Sequence, residues 1–364
     1  MRKLGKLFLA VYMMLVLTAC SGKEVLENES DAVEPAVAEE VPESAAQDEL
    51  TEDQKEEAAE GPEKEPFVSE WETEEGSAVY MTKNISSEGL MSVYQALGVE
   101  AKGENVAVKL STGEPGSNYL DPNLIKELVQ SVDGTIVECN TAYGGSRRKK
   151  TEMHMQVAKD HGFTAIADVD IMDAEGSISI PIEGGTHITE DFVGANFPNY
   201  DYYVVLSHFK GHQMAGFGGS IKNISIGIAS SEGKAWIHTA GVSKTSMMNG
   251  VQDDFLESMA EAGKAVADSL EGKILYINVM NKLSIDCDCS KHPAEPEVAD
   301  IGILASLDPV ALDQACVDLI YAKSDEGAAS LINRIEQQNG LLTLEHAAEI
   351  SLGSREYKLV NIDD

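Results

Sequence analysis

Short apolar runs alternate with amphipathic stretches along most of the chain. Val106–Leu110, Thr135–Cys139, Ala165–Val169, Tyr202–Leu206, Ile274–Val279 and Ile301–Ala305 are rich in aliphatic, aromatic or β-branched residues and are bounded by polar or glycine-bearing segments. That is the pattern of buried strands. The segments between them read as helices. Asp121-Pro122 opens one that runs to about Val132, with aspartate as N-cap and proline in the first turn. Thr151–His161 is predicted helical, with Gly162 as its stop. Asp253–Leu270 is strongly amphipathic, Asp308-Pro309 repeats the opening signal for a helix to about Ala322, and two shorter helices are predicted near Ala328–Gln338 and Thr343–Leu352. Strands alternating with helices predict an α/β fold with a mainly parallel sheet flanked by helices. No repeat of fixed period interrupts this pattern.

The pattern does not reach the N-terminus. Arg2, Lys3 and Lys6 precede an apolar stretch, Leu7–Leu17, which ends in Leu17-Thr18-Ala19-Cys20. The apolar stretch is too short to span a bilayer and has the form of a secretory leader. Its ending resembles a bacterial lipoprotein signal, which implies cleavage after residue 19 and lipid on the Cys20 sulfur. The expectation is a protein tethered to the outer face of the cell membrane. Residues 20–75 follow as a linker. Lys23–Glu75 holds 21 Asp/Glu against 3 Lys, with few aromatic residues, a composition that cannot bury enough apolar surface to offset chain entropy. With +3 in the leader and −18 in the linker, the −35 of the whole chain leaves −20 for Gly76–Asp364. Such a surface repels a phosphate backbone, so a nucleic-acid partner is excluded.

Residues of unusual chemistry cluster just after strand candidates. In an open parallel sheet ligands bind beyond the carboxyl ends of the strands, so three loops are expected to share one rim. They are Asn140–Lys150, the stretch Ser207–Gly227, and Asn281–Pro293 with Asp286-Cys287-Asp288-Cys289. Ser207–Gly227 concentrates His208, His212, Lys210 and Lys222 among loop glycines. Gly216, Gly218 and Gly219, followed by Lys222-Asn223, could hold an anion through backbone N–H groups with lysine as counter-charge. Arg147, in the run Arg147–Lys150, is a further candidate for gripping a carboxylate or phosphate. Cys287 and Cys289 could ligate a soft metal ion, with His208 and His212 completing the set. A redox-active disulfide or two inert loop thiols are the alternatives for that pair. Cys139 and Cys316 read as small buried hydrophobes. There is no P-loop, dinucleotide fingerprint, nucleophile elbow or zinc-protease motif.

His208–Ile224, Asp286–Cys289 and Asp300–Ala315 together resemble the DUF362 family, over roughly Asn105–Asn361. Members are often described as iron–sulfur centre proteins, many with an inserted ferredoxin module. This chain carries no such cysteine run: after Cys20 it has only Cys139, Cys287, Cys289 and Cys316, so ferredoxin-type clusters are not expected. The expectation is instead a mononuclear zinc or iron site and a small anionic ligand. His208, Lys210 and His212 are the candidate reacting groups, in a metal-assisted enzyme or in a lipoprotein that binds a solute or metal without turnover.

Overall fold

The computed structural model describes residues 67–363. The leader, Cys20 and most of the linker lie outside the described residues. Among the described residues there are twelve strands: β1 (Glu72–Thr82), β2 (Val106–Lys109), β3 (Gly134–Glu138), β4 (Val169–Ile171), β5 (Ser177–Pro181), β6 (Glu190–Gly194), β7 (Tyr202–His208), β8 (Lys210–His212), β9 (Gly216–Gly218), β10 (Ile274–Met280), β11 (Gly302–Ser306) and β12 (Tyr357–Asn361). Eight form one sheet in the order β12-β1-β11-β10-β7-β2-β3-β4. Five of its pairings are parallel; only β11 runs against its neighbours β10 and β1. β5 with β6 and β8 with β9 form two small antiparallel ribbons. The fold is therefore α/β with a mainly parallel sheet.

The helices are α1 (Ser87–Ala96), α2 (Pro122–Ser131), α3 (Thr151–Asp160), α4 (Ser220–Ile224), α5 (Ser231–His238), α6 (Gln252–Ser269), α7 (Pro309–Tyr321), α8 (Glu326–Gln337) and α9 (Leu342–Glu349). Period-2 alternation sends the residues of the central strands to opposite faces. Val204, Leu206, Leu275 and Ile277 pack with Leu90, Ile125 and Leu128 of α1 and α2, whereas Tyr203, Val205 and Tyr276 pack with Phe255, Met259 and Leu312 of α6 and α7. Both faces of β10 are covered, which is why every one of its seven residues is buried.

Helix starts follow the predicted signals. Asp121 accepts from Asn123 N at the head of α2, and Asp308 accepts from Val310 N and Ala311 N at the head of α7. Each such cap contributes about 1 kcal/mol. Gly162 ends α3 in the left-handed region at φ 88°. Two expectations are corrected. Ala165–Val169 is not a strand: a 3-10 turn occupies Phe163–Ala165 and the edge strand begins at Val169. Glu72–Glu75, assigned to the linker, belong to β1, which pairs with β12 and β11.

Candidate functional site

β10, β7, β2 and β3 are successive parallel neighbours, so the loops leaving their carboxyl ends share one rim, and direct bonds tie them together. Asp288, buried between the two half-buried cysteines, sits beside the ribbon that follows β7. His208 Nδ1 lies 2.9 Å from Asp288 Oδ2, and Lys210 Nζ lies 3.0 Å from Asp288 Oδ1. Gly211 N donates to Ser284 O at 2.9 Å. Only glycine fits there, because a Cβ on Gly211 would stand 2.5 Å from the Ile285 carbonyl oxygen. The loop after β3 closes the third side: Tyr143 donates its hydroxyl to Cys289 O at 3.0 Å, and Lys291 Nζ contacts Gly145 O.

His208 and Lys210 hold this architecture. The second ring nitrogen of His208 faces Asn281 O at 2.9 Å, and Lys210 also donates to Asn118 O at 2.9 Å. Both ring nitrogens of His208 are thus engaged by oxygen atoms of the protein, and the ligating group among the described residues does not include it, which corrects its expected place among the ligands. Burial pulls the Lys210 ammonium below its ordinary value, with Asp288 acting in the other direction. Burial alone would raise the Asp288 carboxyl, but His208 and Lys210 hold it below the usual range. The three residues form a buried brace that fixes the Cys-x-Cys loop, and His208 and Lys210 act through it as positioning residues.

His212 is placed differently. Its Nδ1 accepts from Ala215 N at 2.9 Å and Met214 N at 3.3 Å. A ring nitrogen of His212 and the sulfurs of Cys287 and Cys289 lie within 4.8 Å of one another, the one such ligating group among the described residues. The ring is buried, and that burial, followed by the nearby charges of Lys222, His238 and Arg334, drives its pKa well below the ordinary value. It is therefore neutral at pH 7, the form in which imidazole ligates metals. In this structure Cys287 and Cys289 are joined as a disulfide, while Cys139 and Cys316 are free and buried.

The glycine loop does not form an anion cradle. Gly216 and Gly218 lie in β9, paired with His212 and Lys210 of β8. Beyond Gly219, the N–H groups of Ser220 and Ile221 at the start of α4 donate to the Asp313 carboxylate at 2.8 and 2.9 Å. An internal carboxylate thus occupies the position expected for a ligand, and a Cβ on Gly219 would stand 2.2 Å from it. Asn223 is likewise engaged, accepting from Lys109 Nζ and donating to Lys109 O, Leu206 O and Ser207 Oγ. Arg147 is exposed, whereas Arg148 points inward between Glu114 and Glu138. Of the expected anion-binding groups, Lys222 remains.

Around Lys222 the structure gathers basic side chains, of which sequence reasoning had not singled out Lys109 or Lys234. Burial, then Arg148 and Lys234, pulls the Lys222 ammonium down to about 8, and Lys109 is likewise drawn to about 8, chiefly by burial. His238, stacked on Phe255 and bonded through Nδ1 to Lys234 O, falls to about 4 for the same first reason. Only Lys109, a charged residue closing an otherwise apolar strand, left a readable trace in the sequence. A separate cavity of about 520 Å³, lined in part by Ser117, Tyr119, His161 and Lys282, contains none of these groups. The site is assigned to the rim where the ligating and cationic side chains meet.

The family model for a domain of unknown function, DUF362, matches residues 106–318. The chain belongs to the DUF362 family. That span runs from β2 into α7 and includes the brace, His212, the Cys-x-Cys loop and Lys222, so the DUF362 region contains the whole site. No curated protein matches the sequence. Among solved structures, the lactate racemase apoprotein from Thermoanaerobacterium thermosaccharolyticum aligns with 14% identity over 81% of this chain and 84% of its own, at a TM-score of 0.37. A crystal structure of a protein from Thermotoga maritima aligns with 15% identity over 72% of this chain and 58% of its own, at a TM-score of 0.38.

Proposed function

We propose that this DUF362 protein is a lipid-anchored, extracytoplasmic enzyme acting on a small anionic substrate, with a zinc or iron ion held by Cys287, Cys289 and His212. The observation that carries the reading is the meeting of those three ligating side chains within 4.8 Å of one another, beside the half-buried Lys222, whose ammonium forms no ion pair among the described residues. The donor set suits either metal once the sulfurs are reduced to thiolates. A metal there supplies a Lewis acid that polarises a carbonyl or activates water. Lys222 anchors the substrate anion, and the His208–Lys210–Asp288 brace keeps the two sulfurs at the rim. The Leu-Thr-Ala-Cys leader ending supports the anchor at Cys20. Binding of the same solute or metal without turnover is the alternative within this reading.

Metal analysis of protein purified under reducing conditions tests the site. The wild type is expected to carry up to one zinc or iron per chain, and the Cys287→Ser/Cys289→Ser variant none. Equal metal content in the two proteins would remove the proposal. Lys222→Met is expected to weaken binding of inorganic phosphate or small carboxylates by about ten- to a hundredfold, the range of one charge-assisted hydrogen bond. Calorimetric titration measures it, and unchanged affinity would detach Lys222 from the anion. A turnover screen with small phosphates and carboxylates then separates catalysis from delivery.

A further inference from the structure

We propose that Cys287 and Cys289 are a redox couple that exchanges disulfides with low-molecular-weight thiols. The inference uses residues of the metal reading but not its premise, since the couple needs no metal. Four observations carry it. The two sulfurs are bonded to each other, two positions apart in sequence. Both cysteines are half-buried, so a small molecule reaches them, whereas Cys139 and Cys316 are sealed in the core. The residue between them, Asp288, is fixed by His208 and Lys210, so the loop is held while its sulfurs change partners. Finally, Cys289 N lies 3.3 Å from Cys287 Sγ as donor, an N–H directed at one sulfur and not the other. An N–H aimed at one sulfur stabilises the negative charge that gathers there as a sulfur–sulfur bond forms or breaks, which assigns Cys287 as the nucleophile and Cys289 as the resolving thiol.

The chemistry balances without a cofactor. The Cys287 thiolate attacks one sulfur of an external disulfide R–S–S–R. That bond breaks, R–S⁻ leaves, and a Cys287–S–S–R mixed disulfide forms. The Cys289 thiolate then attacks the Cys287 sulfur and expels the second R–S⁻. Two electrons pass from the cysteine pair to R–S–S–R, and the two thiol protons end on two R–SH. The reverse sequence, driven by excess thiol, restores the dithiol.

The test equilibrates the full-length protein with reduced and oxidised glutathione in varying ratio, with a chelator present so that failure of the metal reading leaves the result intact. Free thiols are trapped by alkylation and located by peptide mass mapping. Cys287 and Cys289 are expected to convert together, in one two-electron step, within the accessible ratios, with Cys139 and Cys316 unlabelled throughout. A pair still oxidised in excess dithiothreitol would be a structural staple, and a pair reduced at every ratio would be two independent thiols; either overturns the proposal. With unchanged circular dichroism, Cys289→Ser is expected to alkylate at least about tenfold faster than Cys287→Ser, because the remaining Cys287 sulfur keeps the N–H of position 289 directed at it. The opposite order would overturn the assignment of Cys287 as nucleophile.

Discussion

Arg148→Met is expected to destabilise the protein by about 3–5 kcal/mol, the range for removing one partner of a buried ion pair. The guanidinium lies between two carboxylates. Its Nε is 3.3 Å from Glu114 Oε1, and its Nη1 contacts Glu138 Oε1. All three side chains are buried. Glu138 also accepts from Thr112 N at 2.9 Å and meets His154 Nε2 at 2.9 Å. Burial would raise the Glu138 carboxyl, but Arg148 and His154 together hold it well below the ordinary range. Methionine fills much of the space and leaves the charges uncompensated. Urea unfolding monitored by circular dichroism measures the loss. Adding Glu138→Gln to the variant is expected to restore at least about 1 kcal/mol, because the two sites share one network. Strict additivity would show that the pair is not coupled.

Asp191→Asn is expected to stabilise the protein at pH 8 and to change little near pH 4. Asp191 lies in β6 with no exposed surface, and its Oδ2 has no hydrogen-bond partner. Burial pushes its carboxyl up to about 7, against the Phe192 N–H and the charge of Lys234, which favour ionisation. The folded-state pKa is therefore above the unfolded value. The stabilisation from this group is complete below pH 3.8 and is lost as pH rises through about 7. At about 1.4 kcal/mol per pH unit across that interval, the cost above pH 7 is of the order of 4 kcal/mol. Asp313, pushed up to about 6 by burial, contributes in the same direction, so the variant flattens the profile without abolishing its slope. Unfolding free energies of both proteins between pH 4 and 8 provide the check. Parallel curves would show that the Asp191 carboxyl does not titrate in this window.

Much of the fold was legible because burial on both faces leaves continuous apolar runs, as in β7 and β10. β1 was hidden because its first half, Glu72–Gly76, continues the acidic composition of the segment before it. The misplaced strand near Ala165 has a similar cause: a three-residue edge strand carries too few apolar positions to be told from the turn that precedes it. At the site, residue types and loop positions were readable, and direction was not. Arg147 and Arg148 are adjacent and chemically identical, and only the packing of the 140–150 loop against Glu114 and Glu138 decides which points inward. The glycines after His212 looked like a ligand cradle because nothing in the local sequence reveals that Asp313, ninety-odd positions later, caps the same helix. Lys234 and His238 sit in an ordinary helical stretch, and no spacing marks them as neighbours of Lys222.

The reversed direction of β11 has a practical consequence. Ser306 lies opposite Tyr276, near the start of β10 and not its end, so the chain emerges at Leu307 at the end of the sheet opposite the rim that carries the sulfurs. Leu307 is half exposed, and such surface positions tolerate additions best. A fluorophore or immobilisation handle attached there would orient the reactive rim outward from a sensor surface.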